Sequence, residues 1–275
     1  MGYTCFRHGA GLEPVDAFQR DLNMYIAEFL IPGMGIKNVD ENLIKASIEL
    51  IDCLEQLVYE ANAALNLFKR VRCEPQSDRL GSGNERRVEI YKEIVMKSIS
   101  DGLSPEGIRM QVEHIYKNER WASGAVPFHF PRINALICAK SFVFALDSFE
   151  KVLAVLMKLE GAPPDLCNSH KMISEAFPYL RSLRDTSHHI EDRLRKLDRY
   201  KRAIELKEFD IGIMSSTGGF LILNTLNGDT YCATLEDGTV GTIDINQESL
   251  NKLVAVFESA LASFSWIGEP RHCPS

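Results

Sequence analysis

The 275-residue chain lacks the short motifs from which many functions are first read. It has no G-x-x-x-x-G-K-[ST], no G-x-G-x-x-G following a strand, no H-E-x-x-H and no G-x-S-x-G, so the common phosphate-loop, dinucleotide, zinc-protease and hydrolase templates are excluded. It has no CxxC pair. Its seven cysteines, at 5, 53, 73, 138, 167, 232 and 273, are scattered and odd in number. That usage predicts thiols held as small core hydrophobes or left free in a reducing cytoplasm, with no disulfide framework and no zinc site. No apolar run approaches the 18 residues of a membrane span. The longest candidate, 141–159, is interrupted by Asp147, Glu150, Lys151 and Lys158. The opening MGYTCFRHGAGLEPVDAF has no continuous apolar segment of the secretory-leader kind. Internal repeats and low-complexity tracts are absent too. So is any excess of positive charge: the formal net charge of −7 argues against a general nucleic-acid coat.

What remains is the composition of an ordinary globular protein, 45% apolar and 25% charged, long enough for one large or two modest domains. Hydrophobic periodicity predicts helices over 16–30, stopped by Pro32-Gly33, and over 41–71, capped by Asp40. Residues 73–85 read as an exposed loop. Further helices are expected over 86–99 and from Ser104-Pro105 to about 117, with Ser104 as N-cap. A turn-rich connection at 121–132 precedes the strongest helical pattern, 133–159, in which apolar residues recur nearly all round. Ser169 is expected to cap the next helical segment, and Pro178 to start or kink the one after it.

Beyond Glu205 the pattern changes to short runs rich in Ile, Val, Thr and aromatics. Asn227-Gly228 and Asp237-Gly238 are tight-turn signals, so three or four antiparallel strands are expected over 208–245. A closing helix over 247–264 is expected to cover one side of that sheet. The fold class is therefore mainly α (α+β): a long-helix bundle, a small antiparallel sheet and a C-terminal helix. Residues 1–125 form an unassigned N-terminal helical region and 126–275 a helical region with the sheet, 41–117 being able to join it in one bundle.

One segment concentrates chemistry: RDTSHHIEDR, residues 184–193. From 181 to 202 there are eight basic residues against four acidic ones, a positive strip in an acidic chain. On a continuous helix Leu183, Ile190, Leu194 and Leu197 share a core-facing stripe, while Arg184 and His188 lie on one flank and Asp185 and His189 on the other. Two surface pairs on an amphipathic helix account for that spacing. So does phosphodiester chemistry. Cleaving RNA without a metal needs a base for the 2′-hydroxyl, an acid for the leaving oxygen and a cation on the phosphate, to which histidine and arginine are suited. One Arg and one His are few for this, and a two-fold interface would supply the pair twice. A zinc site on the adjacent His188 and His189 is disfavoured, because neighbours on a helix diverge by about 100°.

Arg184-x4-His189, with a polar residue directly after the arginine, resembles the R-x4–6-H signature of the HEPN superfamily. His189-Ile190-Glu191-Asp192-Arg193-Leu194 is similar to the H-[hydrophobic]-D-E-R-[hydrophobic] continuation in a group of bacterial HEPN-like proteins, with the two acids here reversed. The specific match is 183–194; a looser likeness of element order covers 130–264. The resemblance implies a cytoplasmic homodimer joined through the motif helix. It further implies a metal-independent endoribonuclease or RNA-binding protein of a toxin–antitoxin or defence system, with RNA as substrate, an antitoxin or other protein as partner, and no cofactor and no membrane. Arg184 would grip the phosphate, His189 would transfer protons, and Asp185 would orient the site. His188 would be a second acid/base group or an exposed neighbour. Glu191 stands where nucleotide-modified members carry a tyrosine, so that form of regulation is not expected. The alternative is a non-catalytic dimeric helical interaction module.

Overall fold

The computed structural model describes residues 24–37, 40–73, 83–98, 103–212 and 214–274. Among the described residues the first elements are strands β1 (Phe29–Ile31) and β2 (Gly35–Ile36), followed by helices α1 (Glu41–Cys73), α2 (Gly83–Ser98), α3 (Pro105–Ala122) and α4 (Phe130–Met157). Three shorter helices follow, α5 (Leu166–Ala176), α6 (Leu180–His188) and α7 (Ile190–Leu194). Then come β3 (Phe209–Asp210), β4 (Ser215–Ser216), β5 (Thr225–Asn227), β6 (Thr230–Thr234) and β7 (Val240–Asp244). Helix α8 (Gln247–Ala262), β8 (Trp266–Ile267) and β9 (Arg271–Cys273) close the chain. The architecture is mainly α with small antiparallel sheets, as the periodicity predicts. Among the described residues no helix is long and apolar enough to cross a membrane.

The longest helices start where their caps dictate. Asp40 Oδ1 accepts the backbone N–H groups of Asn42 (2.8 Å) and Leu43 (3.3 Å), satisfying two otherwise orphaned donors of α1. Ser104 does the same for Gly107 at 3.1 Å, with Pro105 opening α3. α1 buries Ile51, Leu54, Val58, Ala61, Leu65 and Phe68 on one stripe, which merges with Ala139, Phe142, Leu146, Phe149 and Leu153 of α4 into the principal core. Each fully buried Leu or Phe contributes about 1.5–3 kcal/mol of transfer free energy, so the α1–α4 contact dominates the fold. The α2–α3 hairpin has a separate small core of Ile90, Ile94, Val112 and Tyr116, with Arg87 stacked 3.9 Å over the Tyr116 ring.

Several expectations are corrected. The helix expected over 16–30 falls mostly outside the described residues. Where it is described, the chain is extended, and β1 pairs with β9 while β2 pairs with β8. The loop expected over 73–85 lies largely outside the described residues. Ser169 does not cap α5. It is buried inside that helix, its hydroxyl 2.9 Å from that of Ser259. α8 does not cover the three-stranded sheet β5-β6-β7; it packs on α5, α1 and β1, its Phe257 ring meeting Phe29 and Phe149 edge-on. The sheet instead lies on α6 and α4. Cys232 and Cys273 behave as buried hydrophobes, but Cys53, Cys73 and Cys167 are exposed; no described cysteine is disulfide-bonded.

Both hairpin turns form. Asn227 pairs with Thr230, so Gly228 and Asp229 make the tight turn, one residue later than the Asn-Gly pair suggests. Gly228 takes φ +60° there. Gly238, at φ +81°, could not be another residue: a Cβ there would lie 1.8 Å from the Glu205 carbonyl oxygen. Replacing Asp40 by Ala leaves two α1 donors uncapped and is expected to cost about 1 kcal/mol, read as a lower urea midpoint at unchanged slope.

Candidate functional site

α6 does not run on as the continuous helix that the 183–202 pattern suggests. It stops at His188, and His189 breaks the axis with φ −115° and ψ 44° before the single turn of α7. No proline or glycine stands there. The break follows from what the next residues need. Arg193 has no exposed surface, and its guanidinium reaches the Leu197 carbonyl at 2.6 Å, the Thr186 hydroxyl at 3.4 Å and Glu236 at 3.2 Å. Thr186 in turn donates to the Thr234 carbonyl at 3.1 Å, tying α6 to the end of β6. Asp192, also buried, accepts from Lys201 through both oxygens (2.7 and 2.5 Å) and from Arg195 at 2.6 Å. The Lys201 ammonium, with Arg195 beside it, holds the Asp192 carboxyl below the usual carboxylate range against the opposing effect of burial.

The hydrophobic stripe read from the sequence is therefore corrected. Leu183 is fully buried, but Ile190 is 39% and Leu194 62% exposed, because the break turns Asp192 and Arg193 inward instead. The positive strip is corrected as well. Six of its eight cations are paired: Arg184 with Asp147 and Asp185, Arg193 and Arg199 with Glu236, Arg195 and Lys201 with Asp192, and Arg202 with Asp198.

The four residues singled out in the sequence divide in two. Arg184 and His188 line a groove of about 540 Å³ between α1, α4, α6 and β6. Asp185 lies beside Arg184, its Oδ1 3.1 Å from an Nη atom. His189 is not among the residues lining the groove; it is half exposed at the break, its Nδ1 3.8 Å from Glu191. Asp192 lies close enough to His189 and Glu191 to complete a metal-like trio. Its oxygens are already taken by Lys201 and Arg195, two cations that an ion would have to displace, so the trio is an ion-pair cluster.

The groove also contains residues that no sequence motif singles out. Ala63, Leu67 and Phe144 make apolar walls, while Lys140 and Glu60 add opposite charges. Ser187 lies 2.7 Å from the Tyr231 hydroxyl, and both hydroxyls face Asn224 Oδ1, at 3.1 and 2.9 Å. Burial raises the Tyr231 pKa to about 12, more than its contact with Ser187 lowers it, so the phenol stays protonated and donates. Beneath Arg184 lies Asp147, a carboxylate only 2% exposed within the largely apolar α4. Lys151 donates to Asp147 Oδ2 at 2.5 Å, and Arg184 Nε lies 3.3 Å from Asp147 Oδ1 without making an aligned hydrogen bond. The available signal for Asp147 is an acid, with Glu150, interrupting the strongest helical run. No family model, curated protein or solved structure matches the chain.

Because the folded Asp192 carboxyl titrates below its unfolded value near 3.9, its contribution to stability is complete above that value and is lost as pH falls through the folded pKa. Asp192→Asn is expected to melt at lower temperature than the native chain at pH 7, with the difference shrinking below pH of about 4. Melting curves from pH 7 to pH 2 check this.

Proposed function

We propose that the chain is a cytoplasmic, HEPN-like homodimer that binds RNA and cleaves it without a metal, in a toxin or defence setting. The observation that carries this reading is that Arg184 and His188 line one groove together with Lys140. The groove geometry favours His188 over His189 as the proton-transfer group. In each half of the dimer Arg184 and Lys140 would hold the phosphate. One imidazole would take the 2′-hydroxyl proton as its oxygen attacks phosphorus. The other would protonate the 5′-oxygen as its bond to phosphorus breaks. The products are a 2′,3′-cyclic phosphate and a free 5′-hydroxyl.

Dimerisation is supported by α4. Phe130, Ile133, Ile137, Phe144 and Val155 recur at helical spacing on one face, each about half exposed. A row of this length marks an interaction surface. Phe144 also walls the groove, so a second copy docked on the row would bring two grooves near one axis. Ile133→Glu with Ile137→Glu is expected to convert dimer to monomer in sedimentation equilibrium, with the melting temperature of the fold little changed.

A second reading is favoured by a specific contact. Arg184 already faces two carboxylates, Asp147 and Asp185, so a phosphate must compete for its fork. In that case the molecule is a non-catalytic dimeric interaction module. Incubating RNA with the protein in EDTA separates the two. Cleavage with cyclic-phosphate ends is expected, reduced about 100-fold or more by Arg184→Ala and by His188→Ala, and little affected by His189→Ala. Absence of cleavage, or cleavage equal in all variants, leaves the interaction module.

A further inference from the structure

The interior of the groove has a polarity that the proposed RNA chemistry does not use. Tyr231 has no exposed surface and donates its proton to Asn224 Oδ1. The Ser187 hydroxyl has three acceptors within reach behind it: Asn224 Oδ1, the Leu183 carbonyl at 3.0 Å and Tyr231. Asn224 itself is 95% buried, at 5% exposure, and sits in the left-handed region at φ +41°, a conformation that asparagine tolerates better than most residues. Asn224 Oδ1 and the Leu183 carbonyl both accept from this hydroxyl pair, and Ser187 Oγ keeps the capacity to accept a further hydrogen bond. Glu60, the acidic side chain among the lining residues, presents a second acceptor. Leu67 and Phe144, both about half exposed, line the same groove and give an apolar surface of the kind on which a base stacks.

A ligand that matches this lining has a negative charge at one end, a flat apolar body, and at least two N–H donors on its edge. We propose that the groove holds one nucleotide of the RNA and selects guanine: the phosphate lies at Arg184, Lys140 and His188, the base lies against Phe144 and Leu67, and the Glu60 carboxylate accepts the N1–H and N2–H groups. Guanine offers two adjacent donors to a carboxylate, adenine and cytosine one amino group each, and uracil one imino group. The groove volume of about 540 Å³ accommodates a single nucleotide and its bound water. This assignment rests on the RNA reading above, and deepens it from a backbone site to a base-reading one.

The test is calorimetric titration of the full-length protein with the four nucleoside 3′-monophosphates, which carry base, sugar and phosphate but no scissile linkage. Guanosine 3′-monophosphate is expected to bind at least tenfold more tightly than the uridine and cytidine compounds. Glu60→Gln, at an exposed position, is expected to erase that preference while keeping the shared weak affinity. Phe144→Ala is expected to weaken all four together, and matching melting curves establish that both variants fold. Equal affinities for the four, no binding, or a guanine preference that survives Glu60→Gln overturns the assignment. The two readings fail separately. Guanine-selective binding without RNA cleavage retains the subsite and removes the nuclease, whereas cleavage with no base preference retains the nuclease and removes the subsite.

Discussion

The arrangement around the groove depends on a full positive charge with no contact with water. Moving a guanidinium from water to a protein interior costs several kcal/mol even after relaxation, so Arg193 persists only because its donors are met. Three different parts of the chain meet them: Thr186 on α6, the Leu197 carbonyl after α7, and Glu236 in the β6–β7 connection. These contacts fix where α6 must end, how sharply the chain turns at His189 and where the sheet docks. Thr186 is the shared joint, since it also donates to Thr234 on the last residue of β6. The EDR portion of the segment is thereby a structural clamp, and the groove it sets up is built from residues just before it.

A second buried charge, of opposite sign, lies on α4. Asp147 sits in the most apolar helix of the chain and is neutralised by Lys151 one turn later and by Arg184 from α6. This pair couples the motif helix to the main core, as Arg193 couples it to the sheet. It also sets the chemistry of Arg184. A guanidinium shared between Asp147 and Asp185 is positioned firmly but carries less free charge than an isolated one. Rigidity and availability are in competition at this residue, and the balance between them separates a phosphate-binding site from a helix–helix clamp.

The sequence made the large features of this fold legible where local chemistry dictates structure. Asp40 and Ser104 mark helix starts because a side-chain oxygen must satisfy orphaned N–H groups. The glycines at 228 and 238 mark hairpins because the turns need positive φ. The helix stripes of α1 and α4 follow from burial at a fixed period. Legibility failed where distant partners decide. β1, β2, β8 and β9 are two or three residues long and form because 29–36 meet 266–273, far away in sequence. The docking of α8 on α5 and α1 was hidden for the same reason, since an amphipathic face does not name what it will cover. Glu60 and Tyr231 reach the groove from α1 and β6, some 170 residues apart in sequence.

The two histidines show how one backbone break changes a chemical reading. Periodicity alone assigns Arg184 and His188 to one flank of a helix and His189 to the other, and the motif spacing then asks for an explanation of how Arg184 and His189 could meet. The structure offers a simpler arrangement. α6 keeps its helical geometry through His188, so the four-residue spacing holds and both side chains enter the groove. His189 sits on the break, where its carbonyl accepts the N–H groups of Asp192 and Arg193 at 3.2 and 3.1 Å. Its backbone therefore starts α7 while its ring faces solvent and Glu191. A residue whose backbone must turn the chain toward a buried arginine has its side-chain direction set by that turn. The neighbour that remains helical is the one free to share a site with the arginine.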